Sequence, residues 1–441
     1  MSTDPVGTGH RPAGRLSESV ALLREQPVGV CEKGFGVIAP VTVTDLAQRR
    51  PPLFGGSFTT PVMVLRETAL RHNIEAMAGY CAAAGVELAP HGKTTMAPQL
   101  FARQLAAGAW GITAATAGHM RTYRAFGVPR ILLANELTDP AGIGWLAAEM
   151  TADPGFDCYV YTDSLAGVRM LDETFAAAAP GRPLPVLVEL GQPGGRTGCR
   201  GVADAVTVAR AVVAAGSLRL AGAAGYEGSI GHDPSTATLG AVASFCRELR
   251  TLSEQLRGLV PSPEPLIVTA GGSMFFDIVV RELSTAQSPG PEPRIVLRSG
   301  AYIAHDHGLY AGLTPGGAAW PDRSGPELDP AFELWAHVLS RPEPGLALLA
   351  AGRRDVAYDA GLPVPLRVRH PGGEQAAADQ MTVTKLDDQH AYLTVPTSAE
   401  LAPGDLVCLG VSHPCTNFDK SRVIPVVDDE HRVVDAVHTF F

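Results

Sequence analysis

The chain has 441 residues, 46% hydrophobic and 18% charged, which is enough apolar material for a sizeable core and too much for a disordered polymer. Its net charge of −10 argues against nucleic acid or an anionic membrane surface as the main partner. At about 100–200 residues per domain, the length fits two or three domains, or one large barrel with an addition.

In chain order, residues 1–15 read as a polar, Gly/Pro-bearing arm. Residues 16–58 are ambiguous, with a short helix over Ser17 to Leu23 and a stop at Pro51-Pro52. A strand-like run, Pro61 to Leu65, precedes a helical pattern with Leu70, Ile74, Met77 and Cys81 on one face. Eight short apolar or β-rich runs follow: Val86–Pro90, Trp110–Ala115, Arg130–Ala134, Phe156–Thr162, Pro185–Leu190, Ser217–Ala224, Leu266–Ala270 and Arg294–Arg298. Most are followed by a helical stretch, clearest over 236–258, where Leu239, Val242, Phe245, Cys246, Leu249, Leu252 and Leu256 keep helical spacing. Eight strand–helix units predict an α/β fold, a (β/α)8 TIM barrel, rather than an open doubly wound sheet. The Gly/Pro-rich stretch Pro315–Pro330 reads as a linker. Beyond it the pattern changes to β: a hairpin from Met381–Leu386 and Ala391–Val395, then Asp405–Val411, Arg422–Val427 and Arg432–Phe440. The expected divisions are an N-terminal extension over 1–54, a barrel over 55–315 and a β domain over 316–441.

The seven cysteines are scattered, odd in number and form no CxxC pair, which fits free thiols in a reducing compartment. Met1 to Leu16 has no apolar core of a signal peptide, and no apolar run reaches 18 residues. A cytoplasmic location is the expectation.

Five stretches could carry chemistry. Pro90-His91-Gly92-Lys93-Thr94-Thr95-Met96 follows the first barrel strand, and the C-terminal strand ends of a barrel carry its active site. The chain has only four lysines, Lys33, Lys93, Lys385 and Lys420, against 31 arginines. Lys93, among apolar and small neighbours, is placed to be desolvated and so to act as nucleophile or Schiff-base former. Thr269-Ala270-Gly271-Gly272-Ser273 ends the seventh strand, where bare N–H groups suit a phosphate. The Gly-rich loop Glu189 to Gly198 delivers Arg196 to the same mouth, to hold a phenolate or carboxylate. Tyr226 and His232 follow the sixth strand. In the β domain, His413 and Cys415 are two apart within Ser412 to Lys420, so an extended backbone aims both one way, as a zinc pair would require. Taken alone, His-x-Cys does not specify a metal. His305-Asp306-His307, after strand eight, is a second candidate cluster.

Together, PHGKTTMAP, GGRTG, TAGGS and SHPCTNFDK resemble the D-serine dehydratase / D-threonine aldolase family of alanine racemase-like (fold type III) pyridoxal-phosphate enzymes. The resemblance spans about residues 55–441. It implies a barrel plus a β domain, a homodimer, and pyridoxal 5'-phosphate on Lys93. It further implies Arg196 near the cofactor ring, Tyr226 at the ring nitrogen, and Gly271, Gly272 and Ser273 at the phosphate. His413 and Cys415 match the zinc pair of the dehydratase branch, whereas the aldolase branch tends to show His-Cys-Asp there. The implied activity is metal-assisted dehydration and deamination of a D-serine-like 3-hydroxy amino acid. A D-threonine-type aldolase, an amino-acid racemase and a non-catalytic cofactor carrier are the competing classes. The Gly194-Gly195 insertion and the AHDHGLY stretch depart from the common pattern and look like marks of a bacterial subgroup.

Overall fold

The computed structural model describes residues 16–36, 39–233, 235–260, 265–285, 292–317, 319–320 and 322–441. The arm expected over 1–15 lies outside the described residues. The helix expected near Ser17 spans Leu16–Arg24. A small antiparallel ribbon, β1 (Pro27–Val28) with β2 (Val41–Thr42), follows. Thr42 then starts helix Val43–Arg49 with a reciprocal capping box to Asp45.

Strand β3 (Val62–Arg66) departs from the expectation that the barrel segment opens at residue 55. It pairs antiparallel with β12 (Phe332–Glu343) and parallel with β19 (Val423–Val427), inside the C-terminal sheet. Val62, Met63, Val64 and Leu65 are all buried. A strand buried on both faces reads as a continuous apolar run, and such a run carries no sign of which sheet it joins.

The eight predicted barrel strands form, with shifted ends. They are β4 (Glu87–Leu88), β5 (Ile112–Ala114), β6 (Arg130–Glu136), β7 (Asp157–Thr162), β8 (Leu184–Leu190), β9 (Leu218–Gly225), β10 (Ile267–Ala270) and β11 (Arg294–Leu297). Their pairing runs β4-β11-β10-β9-β8-β7-β6-β5, all parallel. The curled sheet meets itself where the Trp110 N–H donates to the Leu88 carbonyl (2.7 Å) and the Thr113 N–H to that of Pro90 (2.9 Å). Side chains of alternate residues, among them Leu132, Tyr161, Leu187, Ala224, Ile267 and Val296, fill the interior. Their neighbours along each strand face the helices in the larger outer core. The long helix Thr236–Arg257 buries Val242, Phe245, Leu249, Leu252 and Leu256, as its spacing predicts.

The C-terminal sheet is antiparallel apart from the β3–β19 pair. β12 is flanked by β3, β13 (Leu346–Leu349) and β18 (Leu406–Gly410). β14 (Val364–Arg369) joins β18 to the short β15 (Gln375–Ala377). The predicted hairpins appear as β16 (Thr382–Leu386) with β17 (Ala391–Thr394), and β19 with β20 (Val433–His438). Among the described residues, no helix is long and apolar enough to cross a membrane.

Candidate active site

Lys93 lies on a strap between β4 and the next helix. A single 3-10 turn, Gly92–Thr94, carries it, and Pro98 at the first position starts helix Pro98–Ala106. The strap closes with the Met96 N–H on the Gly92 carbonyl (2.8 Å) and Met96 at φ 44°, a left-handed conformation that a side-chain-bearing residue adopts at a cost. Gly300, just past β11, lets the strap come close: a Cβ there would sit 2.6 Å from Thr94 Oγ1 and 2.8 Å from His91 Cβ.

Charge separates the four lysines. Lys33 pairs with Asp355, Lys385 with Asp387 and Lys420 with Asp419. Lys93 makes no ion pair among the described residues, and neither do Arg196 and Arg298. Lys93 is exposed at the mouth, but protein packed around the rest of its side chain still desolvates it. That burial lowers its pKa; the Arg196 and Arg298 charges lower it further, and Cys415 opposes them. The Arg196 guanidinium lies 4.3 Å from the Tyr226 ring centre. Arg298, on inward register at the end of β11, donates to Thr269 Oγ1 (2.7 Å) and the Gly225 carbonyl (2.7 Å). Burial, and then the Lys93 and Arg298 charges, hold His91 well below its usual pKa, as a neutral imidazole.

The expected phosphate turn has an occupant. The Gly271 N–H donates to Glu227 Oε2 (3.0 Å) and the Gly272 N–H to Glu227 Oε1 (2.6 Å). Gly271 reaches this geometry at φ 90°. Glu227 is fully buried. Ser273 Oγ accepts the Ala301 N–H (3.3 Å) from the strand-eight side. The turn is therefore shaped by the chain's own carboxylate, which the sequence reading missed.

The segment carrying His413 and Cys415 lies against the strap. Cys415 Sγ is 3.4 Å from Thr94 Oγ1, across 321 residues of sequence. His413 Nδ1 meets Asp359 Oδ2 at 2.7 Å, and Thr416 donates to the other oxygen of the same carboxylate at 2.6 Å. Burial pulls the His413 pKa down, but hydrogen bonds with Cys415 and Asp359 prevail and push it to about 9. The Tyr310 ring stands edge-on to His413 at 5.9 Å. Among the described residues, no group of three or more His, Cys, Asp or Glu side chains forms a metal cage.

Asp306 takes a structural part in place of the metal role considered for its cluster. Its buried carboxylate accepts N–H groups from Gly308, Tyr310 and Ala311 (2.9–3.1 Å), and so shapes the loop that presents Tyr310. Burial pushes both His305 and His307 down to about 4. His232 is exposed on the loop after β9. The sequence reading also passed over Arg298 and Asp359; Arg298 was legible as an inward position at a strand end, but Asp359 had no local signal.

The putative serine dehydratase domain model matches residues 331–427, the span holding Asp359, His413 and Cys415. The chain is 26% identical over 400 residues to a D-threonine aldolase of an Arthrobacter species, covering 89% of this chain and 95% of the relative. The structure of D-threonine aldolase from Filomicrobium marinum superposes with a TM-score of 0.71 at 25% identity, over 87% of this chain and 95% of that one. D-threo-3-hydroxyaspartate dehydratase from Delftia sp. HT23 gives 0.68 at 21%, over 87% and 97%. The chain has the alanine racemase-like fold and is similar, at low identity, to D-threonine aldolase and to D-threo-3-hydroxyaspartate dehydratase. Lys93 at the first strand end, with Arg196 and Arg298 near it and without ion pairs among the described residues, suits an anionic ligand.

Deeper in the mouth, Glu136 of β6 and Glu189 of β8 face each other. Both Glu136 oxygens and one of Glu189 are buried with no hydrogen-bond partner among the described residues, so a charge on Glu136 is poorly solvated there. Burial and the Glu189 charge push Glu136 up from 4.5 to about 8. In that interval the folded chain keeps a proton that the unfolded chain has lost, so stability falls as pH rises through it. Glu136→Gln removes this dependence. Its thermal midpoint is expected to exceed the parent's at pH 8 and to vary less with pH below that; parallel curves would contradict the raised Glu136 pKa.

Proposed function

We propose that the protein is a pyridoxal-phosphate-dependent, metal-assisted dehydratase of a D-3-hydroxy amino acid of the D-serine type, releasing a 2-oxo acid and ammonia. The observation that carries this reading is the Thr94–Cys415 contact. It sets the expected metal pair beside the expected cofactor lysine, as a reaction at adjacent Cα and Cβ atoms requires.

The residues fit the cofactor. Lys93, Arg196 and Arg298 converge without ion-pair partners among the described residues, which suits an anionic group. Lys93 would hold it covalently, with Arg196 and Tyr226 beside the ring and the Gly271-Gly272-Ser273 turn at the phosphate. Glu227 already takes two N–H groups of that turn, leaving Ser273 and the nearby cations as its main phosphate partners. The donor set of His413 and Cys415, imidazole plus thiolate, fits zinc or a similar divalent ion. When bound, pyridoxal phosphate supplies an electron sink at Cα and the divalent ion a Lewis acid for the 3-hydroxyl.

The chain's own groups supply the rest. The lowered pKa of Lys93 raises the neutral share of its Nζ, the form able to take the Cα proton. Arg196 is available to a substrate carboxylate. Neutral His91 adds no competing charge beside Lys93. Tyr161 and Arg298 are buried inside the barrel below the mouth. A homodimer belongs to this reading.

The D-threonine aldolase relatives favour a second reading, retro-aldol cleavage at the same site. Both reactions need the 3-hydroxyl held; they differ in which bond at Cβ breaks. A panel of D- and L-3-hydroxy amino acids separates them. Dehydration gives ammonia and a 2-oxo acid, and EDTA should suppress it; glycine plus an aldehyde instead would replace the dehydratase reading. Solvent deuterium entering Cα with inversion would mark a racemase, and no turnover at all a carrier. Lys93→Ala is expected to lower turnover at least about 100-fold and to lose the visible absorbance gained on loading with pyridoxal phosphate. A retained band would remove Lys93 from its role. Cys415→Ala is expected to bind less than stoichiometric zinc by elemental analysis, and unchanged content would remove the thiolate from the metal pair.

A further inference from the structure

Asp359 lies in a turn between the β13 and β14 strands, 54 residues before His413 in sequence. Among the described residues its salt-bridge partner is His413. Its carboxylate is divided between two partners on one short segment: Oδ2 faces His413 Nδ1 at 2.7 Å, and Oδ1 accepts the Thr416 hydroxyl at 2.6 Å. The His413–Thr416 segment is thus gripped at both ends of one carboxylate. The opposite side of the segment is fixed by Thr94 against Cys415 and by the Tyr310 edge against the imidazole.

An imidazole that ligates a metal through one nitrogen works best when the other nitrogen gives its proton to a carboxylate, which fixes tautomer and ring orientation and raises ligand basicity. With Nδ1 tied to Asp359, Nε2 is the nitrogen left to a metal. From this geometry we propose that Asp359 is a positioning residue: its carboxylate sets the tautomer and aim of His413, and so the metal affinity of the His413–Cys415 pair, with Thr416 holding the carboxylate in place. The inference rests on the metal role given to that pair under the proposed function.

Asp359 has a half-exposed side chain, so its removal leaves the core intact and the variants should fold. Zinc affinity is measured by competition with a chromophoric chelator, using full-length parent, Asp359→Ala, Asp359→Asn, Thr416→Val and His413→Ala. The expected result is a graded series. Asp359→Ala should bind zinc about 10–100-fold more weakly than the parent. Asp359→Asn, which can still accept from Nδ1–H but carries no charge, should lose less, and Thr416→Val least. In zinc-free samples titrated until the ring is neutral, nitrogen-15 shifts of His413 should report the Nδ1-protonated tautomer in the parent and a tautomer mixture in Asp359→Ala, with thermal midpoints unchanged; a mixture in the parent too would overturn the positioning role. Equal zinc affinity in parent and Asp359→Ala, while His413→Ala has lost the metal, overturns the positioning role alone. A parent that binds no zinc overturns the metal pair and the inference together. A loss in Asp359→Ala as complete as in His413→Ala makes Asp359 a ligand and overturns its indirect role.

Discussion

The contact between Thr94 and Cys415 ties two distant parts of the chain into one site. Neither residue has freedom to leave it. Thr94 is buried on a strap whose turn closes onto Gly92 and whose far end runs into a proline-started helix. Cys415 follows β18, a strand hydrogen-bonded on both sides by β12 and β14. β12 in turn pairs with β3, which leads directly into helix Glu67–Ala84 on the barrel's outside. The sheet and the barrel are therefore locked to each other by the chain's connectivity, and the strap and the His413–Cys415 segment are brought together as a consequence.

Charge follows the same logic. A net charge of −10 gives no overall attraction for an anionic ligand, yet the mouth gathers Lys93, Arg196 and Arg298 without carboxylate partners among the described residues. The acids near them are managed individually. Glu227 is satisfied by backbone N–H groups, and Glu136 is pushed toward its neutral form by burial and Glu189. The positive mouth is thus built by neutralising or occupying the carboxylates around it.

Much of this was legible in the sequence. Barrel strands with helices between them leave a repeated pattern of apolar runs and helical spacing, so all eight were placed within a few residues. Strand ends then pointed to Lys93, Arg196, Tyr226 and the Gly271–Gly272 turn, and the structure brings these to one mouth. What escaped are interactions with no local signature. β3 is a continuous apolar run whose partners lie 267 residues or more away (Phe332 opposite Leu65). Glu227 looks like any loop acid until its carboxylate is seen on two N–H groups of another strand end. Asp359 sits in an unremarkable turn, and only tertiary folding puts it on His413. The His305-Asp306-His307 triplet shows the converse: its spacing suggested ligands, but the backbone turns Asp306 inward to cap its own loop.

The central claim is that the lysine strap and the His413–Cys415 segment form a single site. The most direct test is a crystal structure of the protein loaded with pyridoxal phosphate and zinc, with the metal located by anomalous scattering. The account predicts cofactor density continuous with Lys93 Nζ and a zinc peak on His413 and Cys415, facing one shared cavity. Zinc bound elsewhere, or a cofactor joined to Lys33, Lys385 or Lys420, would contradict it.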